Sequence, residues 1–382
     1  MRALLTTYGS RGDVEPMVAL AVALLEQGAD VRMCTPPDQE FVDLLCREGV
    51  ALVPFAKPWR SWERPPTPAE RRQRVTDFIN AQYDTVAEAA ADADVIVGAA
   101  MSQFVAPSVA EELDIPYHYA LFCPDVVDGL DGRTFNELFK EPLDRHRATI
   151  GLPPVDDVGE LMFTARPLLA ADPVLAPWQR TGGLDVVQTG AWTLPDSRHL
   201  PTDLLDFLER GEAPVYVGFG SMRTVDEASV QVAVDAIRAH GRRVVIGRGW
   251  AGLDVIDGRD DCFAVGEANH QQLFPRMAAV VHHGGAGTTT TAFRAGTPQV
   301  VVPQGGDQAY WGSRVTALGI GAAHDGPTPG VEPLGAALSV ALAADTRARA
   351  ALLASNGGRD GATTAAQLLL AGTAVQPARR GP

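Results

Sequence analysis

What the 382-residue sequence lacks narrows its class before anything it contains. No apolar run approaches the roughly 18–20 residues of a membrane span, and the amino terminus lacks the basic-then-apolar layout of a secretion signal, so a cytoplasmic protein is expected. Cysteine is scarce. The four present, Cys34, Cys46, Cys123 and Cys262, are scattered without metal-ligand spacing and lie mostly in apolar runs, as reduced core thiols do, which argues against disulfides and zinc. An excess of positive charge is also missing. The formal net charge is -15 and the arginines are evenly spread, so there is no basic groove for a nucleic acid. The acidic surplus accounts for solubility and would also suit a neutral or cationic partner. Neither low-complexity repeats nor a lysine-bearing triphosphate loop ("GK[ST]") nor a "GxGxxG" dinucleotide fingerprint occurs.

What is present is a well-cored globular chain, 46% hydrophobic with mean hydropathy -0.01, long enough for two domains. Short apolar or β-branched runs alternate with amphipathic helical stretches: "RALLTT", a helix over 13–27, "DVRMC", a helix over 38–48, "ALVPF". The pattern continues through a helix over 76–92, "DVIVGA", a helix over 105–113, "PYHYALF", a helix over 136–151, "LLAAD" and "DVVQTG". It restarts at "PVYVGFGS", followed by a helix over 226–240, "RRVVIGR", "CFAVG", a helix near 270–276, "AAVVHHGG", a helix over 286–296, "QVVVP" and a helix from 308. Strands that short and fully apolar are buried on both faces of a parallel sheet. The fold class expected is therefore α/β, with two doubly wound, Rossmann-like parallel-sheet domains facing a cleft. Residues 1–195 form the first, 196–213 a proline- and charge-bearing linker with one short helix, and 214–382 the second with its C-terminal helix.

Ligands of open α/β sheets bind outside the carboxyl ends of the strands, and four such turns are unusual here. In "VVHHGGAGTTTTAFRAG" (280–296) a strand ends in two histidines, and glycines and threonines then open a helix. Unpaired backbone N–H groups at a positive dipole end make an anion cradle, which a histidine can supplement. Threonine N-caps alone would explain one or two of these residues but not the whole run. "VGFGSM" (217–222) offers Gly220 and Ser221 before the next helix, a weak signal alone. "VPQGGDQAYWGSRV" (302–315) carries Asp307 and Gln308, acceptors and donors of the kind that read sugar hydroxyls, although Asp307 equally suits a helix N-cap; Tyr310 and Trp311 read as packing. In "GSRGD" (9–13), Asp13 is either an N-cap or a general base on a strand-end turn, and Arg11 either a phosphate ligand or a solvated arginine.

Taken together, "GSRGD", "YVGFGS", "HHGGAGTT", the "PQ..DQ" turn and "HRATIGLPPV", in this order, make the chain resemble the GT-B glycosyltransferases, above all those that glycosylate glycopeptide (vancomycin-type) antibiotic aglycones. The resemblance spans nearly the whole chain. It implies a nucleotide sugar held by the second domain and an acceptor held by the first. Asp13 would deprotonate the acceptor hydroxyl, with Ser10 and Arg11 lining the same cleft beside the donor. His283 and the amides of Gly285, Gly287 and Thr288 would hold the diphosphate, helped by Ser221. Asp307 and Gln308 would bind sugar hydroxyls, and Arg248, Trp250 and Val265 would receive base and ribose. The reaction implied is an inverting transfer of glucose or N-acetylglucosamine from a UDP- or dTDP-sugar, with no metal and no other cofactor, by a monomer that binds neither nucleic acid nor a membrane. The acidic "DGRDD" (257–261) reads as an exposed loop. One departure is that only "PDVVDGLDGRT" follows Cys123, where family members carry a longer acceptor loop. Trp59, Trp62, Phe78 and Phe104 are candidate acceptor-facing aromatics, with core packing the default for the phenylalanines. Rival readings are a sterol or macrolide glucosyltransferase of the same fold, a non-catalytic nucleotide-sugar-binding protein, and an epimerase.

Overall fold

The computed structural model describes residues 1–61, 67–125, 135–163, 166–179, 184–222, 226–254, 257–358 and 360–374. The chain divides into two compact units, the first made of residues 1–171, 177–194 and 358–382, the second of residues 172–176 and 195–357.

The first unit is built on a seven-stranded sheet in the order β3-β2-β1-β4-β5-β6-β7. Its strands are β1 (Arg2–Tyr8), β2 (Asp30–Thr35), β3 (Ala51–Pro54), β4 (Val95–Ala100), β5 (Tyr117–Leu121), β6 (Leu168–Leu169) and β7 (Val187–Gln188). Every pairing is parallel, so each connection must cross a face, and helices cover the sheet. Alternation along β1 sends Ala3 and Leu5 into a core with Val14, Met17, Val18 and Leu20 of the helix Arg11–Glu26. The helix expected over 76–92 begins earlier, at Pro68, because Thr67 and Glu70 form a capping box: the Glu70 amide donates to Thr67 Oγ1 (3.3 Å) and the Thr67 amide to Glu70 Oε2 (2.9 Å).

The second unit carries a six-stranded parallel sheet in the order β10-β9-β8-β11-β12-β13. These are β8 (Val215–Gly218), β9 (Val244–Gly247), β10 (Cys262–Val265), β11 (Ala279–His282), β12 (Gln299–Val301) and β13 (Gly321–Ala323). The first five were expected. The glycine-flanked β13, three residues long, carries too little pattern to be read from sequence.

Two expected boundaries are corrected. Residues 196–213 are not a linker, because the helix Thr202–Glu209 buries Leu204, Phe207 and Leu208 in the second unit's core with Tyr216, Val245 and Phe274. The C-terminal helix Gly361–Ala374 does not belong to the second unit: Ala365, Ala366 and Leu369 join the core of the first, against the helix Arg11–Glu26. Among the described residues no helix is long and apolar enough to cross a membrane, and none of the four cysteines forms a disulfide, with Cys34 and Cys123 buried.

Candidate active site

In each sheet the strand order reverses once, between β1 and β4 in the first unit and between β8 and β11 in the second. Such a switch point leaves a crevice above the carboxyl ends of the two strands, and three of the four marked turns lie at these two places, while the fourth, 302–315, follows β12, the next strand of the second sheet.

In the first unit, β1 ends at Tyr8, opposite Ala100 of β4, a non-glycine residue held in the left-handed region (φ 50°). The cap of the following helix is Ser10, not Asp13. Asp13, three residues on, turns back, and its Oδ2 accepts from the Ser10 amide (2.8 Å) and the Ser10 hydroxyl (3.3 Å). The Thr7 hydroxyl donates to the Asp13 carbonyl (3.2 Å). Gly9 completes the turn, and a Cβ there would stand 2.1 Å from Asp13 Oδ2. Nothing in the sequence pointed to Tyr119, whose phenol is pushed well above its ordinary range by burial and then by the charge of Asp13. Arg11 donates to Glu15 (2.9 Å) and lies 4.0 Å from Glu40, so its charge is met within its own unit. Of the candidate aromatics, Trp59 and Phe78 close edge-on around Tyr8 at 5.5 and 5.0 Å. Phe104 is buried and stacked on Phe139 at 3.7 Å, a core residue. Trp62 and most of the segment after Cys123 lie outside the described residues.

In the second unit the two consecutive histidines part company. His282 is fully buried; its Nε2 lies 2.9 Å from Gln299 Oε1 and its Nδ1 accepts the Gly284 amide at 3.1 Å. That pattern requires the neutral ring with its proton on Nε2, and burial pushes the group down to about 3. His283 points the other way. Burial pushes it down to about 4, and its Nδ1 is buried without a hydrogen-bond partner among the described residues, although part of the residue reaches the surface. The ring lies between two glycine turns: a Cβ on Gly285 would meet its Nε2 at 2.5 Å, and one on Gly220 its Cε1 at 3.1 Å. Gly284 takes φ 91°, and a Cβ there would strike Val301 Cγ1 at 2.6 Å.

The helix Ala286–Arg294 opens beside this ring with Gly285 as its cap. Its first internal bond runs from the Thr289 amide to the Gly285 carbonyl (3.0 Å), so the amides of Ala286, Gly287 and Thr288 precede the ladder. Thr289 and Thr291 turn their hydroxyls back onto the Gly285 and Gly287 carbonyls (2.9 and 2.8 Å), so these two hydroxyls are spent within the helix. Ser221 follows Gly220 at the end of β8, and the Gly220 carbonyl accepts the Trp250 amide at 2.9 Å, joining the β8 and β9 turns. The Arg248 amide donates to the Val265 carbonyl (2.9 Å), the Arg248 guanidinium to Asp254 (3.1 Å), and the Val265 side chain is buried.

Asp307 and Gln308 are more committed than the sequence suggested. Asp307 stands at the cap position, but its Oδ2 accepts the indole N–H of the buried Trp311 (2.8 Å) instead of capping the helix. Gln308 Oε1 accepts the amides of Gln304 (2.7 Å) and Gly305 (3.2 Å), while its Nε2 faces Met222 Sδ at 3.7 Å. The "DGRDD" aspartates are not idle either, because Asp257 and Asp261 together grip the Arg238 guanidinium at 2.7–2.9 Å.

Two switch-point sheets, each with glycine turns at its strand ends, are the architecture of GT-B glycosyltransferases. The solved structure of the glycosyltransferase VinC in complex with dTDP superposes with a TM-score of 0.69 at 22% identity, covering 98% of this chain and 100% of that one. Residues 3–130 match the glycosyltransferase family 28 N-terminal domain, and residues 261–358 match the erythromycin biosynthesis protein CIII-like C-terminal domain. The glycosyltransferase GtfE of Amycolatopsis orientalis is 50% identical over 97% of each chain, and the vancomycin aglycone glucosyltransferase of the same organism 47% identical over 97% of each. The chain belongs to this family, the GT-B glycosyltransferases of vancomycin-type glycopeptide antibiotics. The alignment with GtfE runs over 402 positions, more than the 382 residues of this chain, so that relative carries residues this one lacks.

Proposed function

We propose that this glycosyltransferase moves a hexose, glucose or N-acetylglucosamine, from a UDP- or dTDP-sugar to a hydroxyl of a glycopeptide antibiotic aglycone, with inversion and without a metal. The observation that carries the reading is the cradle after β11, where a neutral His283 adjoins the leading amides of the helix Ala286–Arg294. A neutral imidazole donates one hydrogen bond and the amides donate several at a positive dipole end, which suits a leaving diphosphate. The cradle therefore supplies donors where the new negative charge gathers. Asp257 and Asp261 of the "DGRDD" loop are already engaged in ion pairs with Arg238.

In the step itself the Asp13 carboxylate takes the proton of the acceptor hydroxyl, whose oxygen forms the new bond to the anomeric carbon from the face opposite the phosphate. The bond from that carbon to the phosphate oxygen breaks, and its electron pair leaves on the nucleoside diphosphate. Ser10, through its amide and hydroxyl on Asp13 Oδ2, holds the carboxylate in one orientation for this transfer. Gln308 Nε2, now facing a weak thioether acceptor, is free to turn to a sugar hydroxyl, and Asp307 would offer an acceptor beside it. The test is incubation with UDP-glucose, UDP-N-acetylglucosamine and dTDP-glucose in EDTA against a vancomycin-type aglycone, with product masses read for the wild type and Asp13→Asn. A one-sugar mass gain that Asp13→Asn abolishes is expected. A gain that persists in Asp13→Asn removes Asp13 as base, and loss of the gain in EDTA alone removes metal independence.

A further inference from the structure

The second unit contains a half-buried polar pair that plays no part in the chemistry above. Tyr216, the second residue of β8, leans along its strand toward the carboxyl end. Its hydroxyl crosses Gly218 and Gly247, which are paired neighbours in β8 and β9. A Cβ on Gly218 would stand 2.3 Å from that hydroxyl and one on Gly247 2.1 Å, so both strands must end in glycine for the ring to lie there. The hydroxyl meets His270 Nε2 at 3.2 Å, and the His270 ring is stacked on Phe274 (centroids 4.6 Å, planes 14° apart), which in turn packs on Tyr216 at 5.2 Å. His270 is itself fixed in place. The preceding Asn269 caps its helix through the Gln272 amide (3.1 Å) and donates to the carbonyls of Asp196 (2.7 Å) and Arg198 (2.8 Å).

Directly beyond the two glycines lie the turns that reach the cradle. Gly220 is packed against the His283 ring, and the β9 turn is tied to Gly220 through the Trp250 amide and by the close approach of Gly249 to the Gly220 carbonyl. We propose that Tyr216 and His270 are positioning residues for donor binding: their hydrogen bond fixes the ends of β8 and β9, and through them the turns that orient His283 toward a nucleoside diphosphate. This rests on the donor reading of the cradle. Because the pair acts through turns that hold the diphosphate before as well as during its departure, its loss weakens ground-state and transition-state binding of the diphosphate alike. The effect therefore falls on affinity and not on turnover.

The test is calorimetric titration of the full chain with UDP and with dTDP, together with donor KM and kcat, for the wild type, Tyr216→Phe, His270→Leu, the double variant of these two, and His270→Gln. Tyr216→Phe is expected to raise Kd and donor KM about fivefold with kcat nearly unchanged, the effect of one net hydrogen bond. His270→Leu should match it, the double variant should be no worse than either single one, and His270→Gln, which keeps a polar end, should recover most of the affinity. If Tyr216→Phe fails to fold, His270→Leu carries the same reading. Binding by the variants equal to that of the wild type, or a fall in kcat at constant Kd, overturns this inference alone. A wild-type chain that binds neither diphosphate overturns the donor reading and the inference with it.

Discussion

Acidification tests the second unit most sharply at His282. The buried ring carries a Gly284 amide on Nδ1 and gives its own proton to Gln299, so a second proton on Nδ1 turns an acceptor into a donor facing a donor. The folded group titrates at about 3 against an ordinary 6.5. A histidine depressed in this way stabilises the fold fully above its unfolded value and loses that contribution as pH falls from about 6.5 toward about 3. At about pH 5 the loss is roughly 1.5 pKa units, or about 2 kcal/mol, from this residue alone. Carboxylates with depressed values act mainly below that window, so between about pH 7 and pH 5 the histidines dominate. His282→Asn isolates the effect, because the asparagine oxygen can still accept the Gly284 amide while carrying no titratable group. At neutral pH the variant is expected to cost about 1–3 kcal/mol, through the Gln299 carbonyl left unpaired in the core. At about pH 5 the gap to the wild type should shrink by about 2 kcal/mol. Urea unfolding of both chains at each pH measures it, and a gap that stays constant or widens on acidification refutes the neutral, Nε2-protonated assignment.

Two further perturbations follow from single contacts. Gly9→Ala places a methyl group against Asp13 Oδ2, so kcat should fall about 10- to 100-fold with little change in melting temperature; unchanged kcat would show that the carboxylate's placement does not matter to the reaction. Arg147 is buried and donates to Ser108 (3.0 Å), the Pro153 carbonyl (2.8 Å) and Glu111 (2.8 Å). Arg147→Met strands the first two and should cost roughly 2–4 kcal/mol in an unfolding titration, with a discount for Glu111, which solvent can serve.

The architecture is legible because strands of a parallel sheet read as short apolar runs, and twelve of the thirteen strands among the described residues carry that mark in the sequence. What escaped were decisions made by packing. An amphipathic C-terminal helix states that it must bury a face but not which core will receive it, so its docking on the helix Arg11–Glu26 could not be read from its own residues. The segment 196–213 reads as a linker with one short helix because of its prolines and charges, but the spacing of Leu204, Phe207 and Leu208 does not say that this helix packs into the second unit's core. The start of the helix at Pro68 was also written in the sequence, as the capping box "TPAE".

The candidate site divides along the same line. Residue types and turn positions located both switch points, because glycine at a strand end and a histidine before a helix are chemical requirements that survive without coordinates. Side-chain direction was not available, and direction is what separates the two consecutive histidines. Adjacent residues at a strand end face opposite ways, so one histidine enters the core to brace the turn and the other lies between the two glycine turns; the sequence shows only "HH". The same limit hid Tyr216. Its signal was a tyrosine inside the apolar "VYVG", two residues before a glycine, and it became readable only when the ring was seen to pass over Gly218 and Gly247. Those glycines would otherwise count as flexible strand ends. Here they are occupied space, which implies that replacing either would disturb the turns after β8 and β9 through the Tyr216 ring.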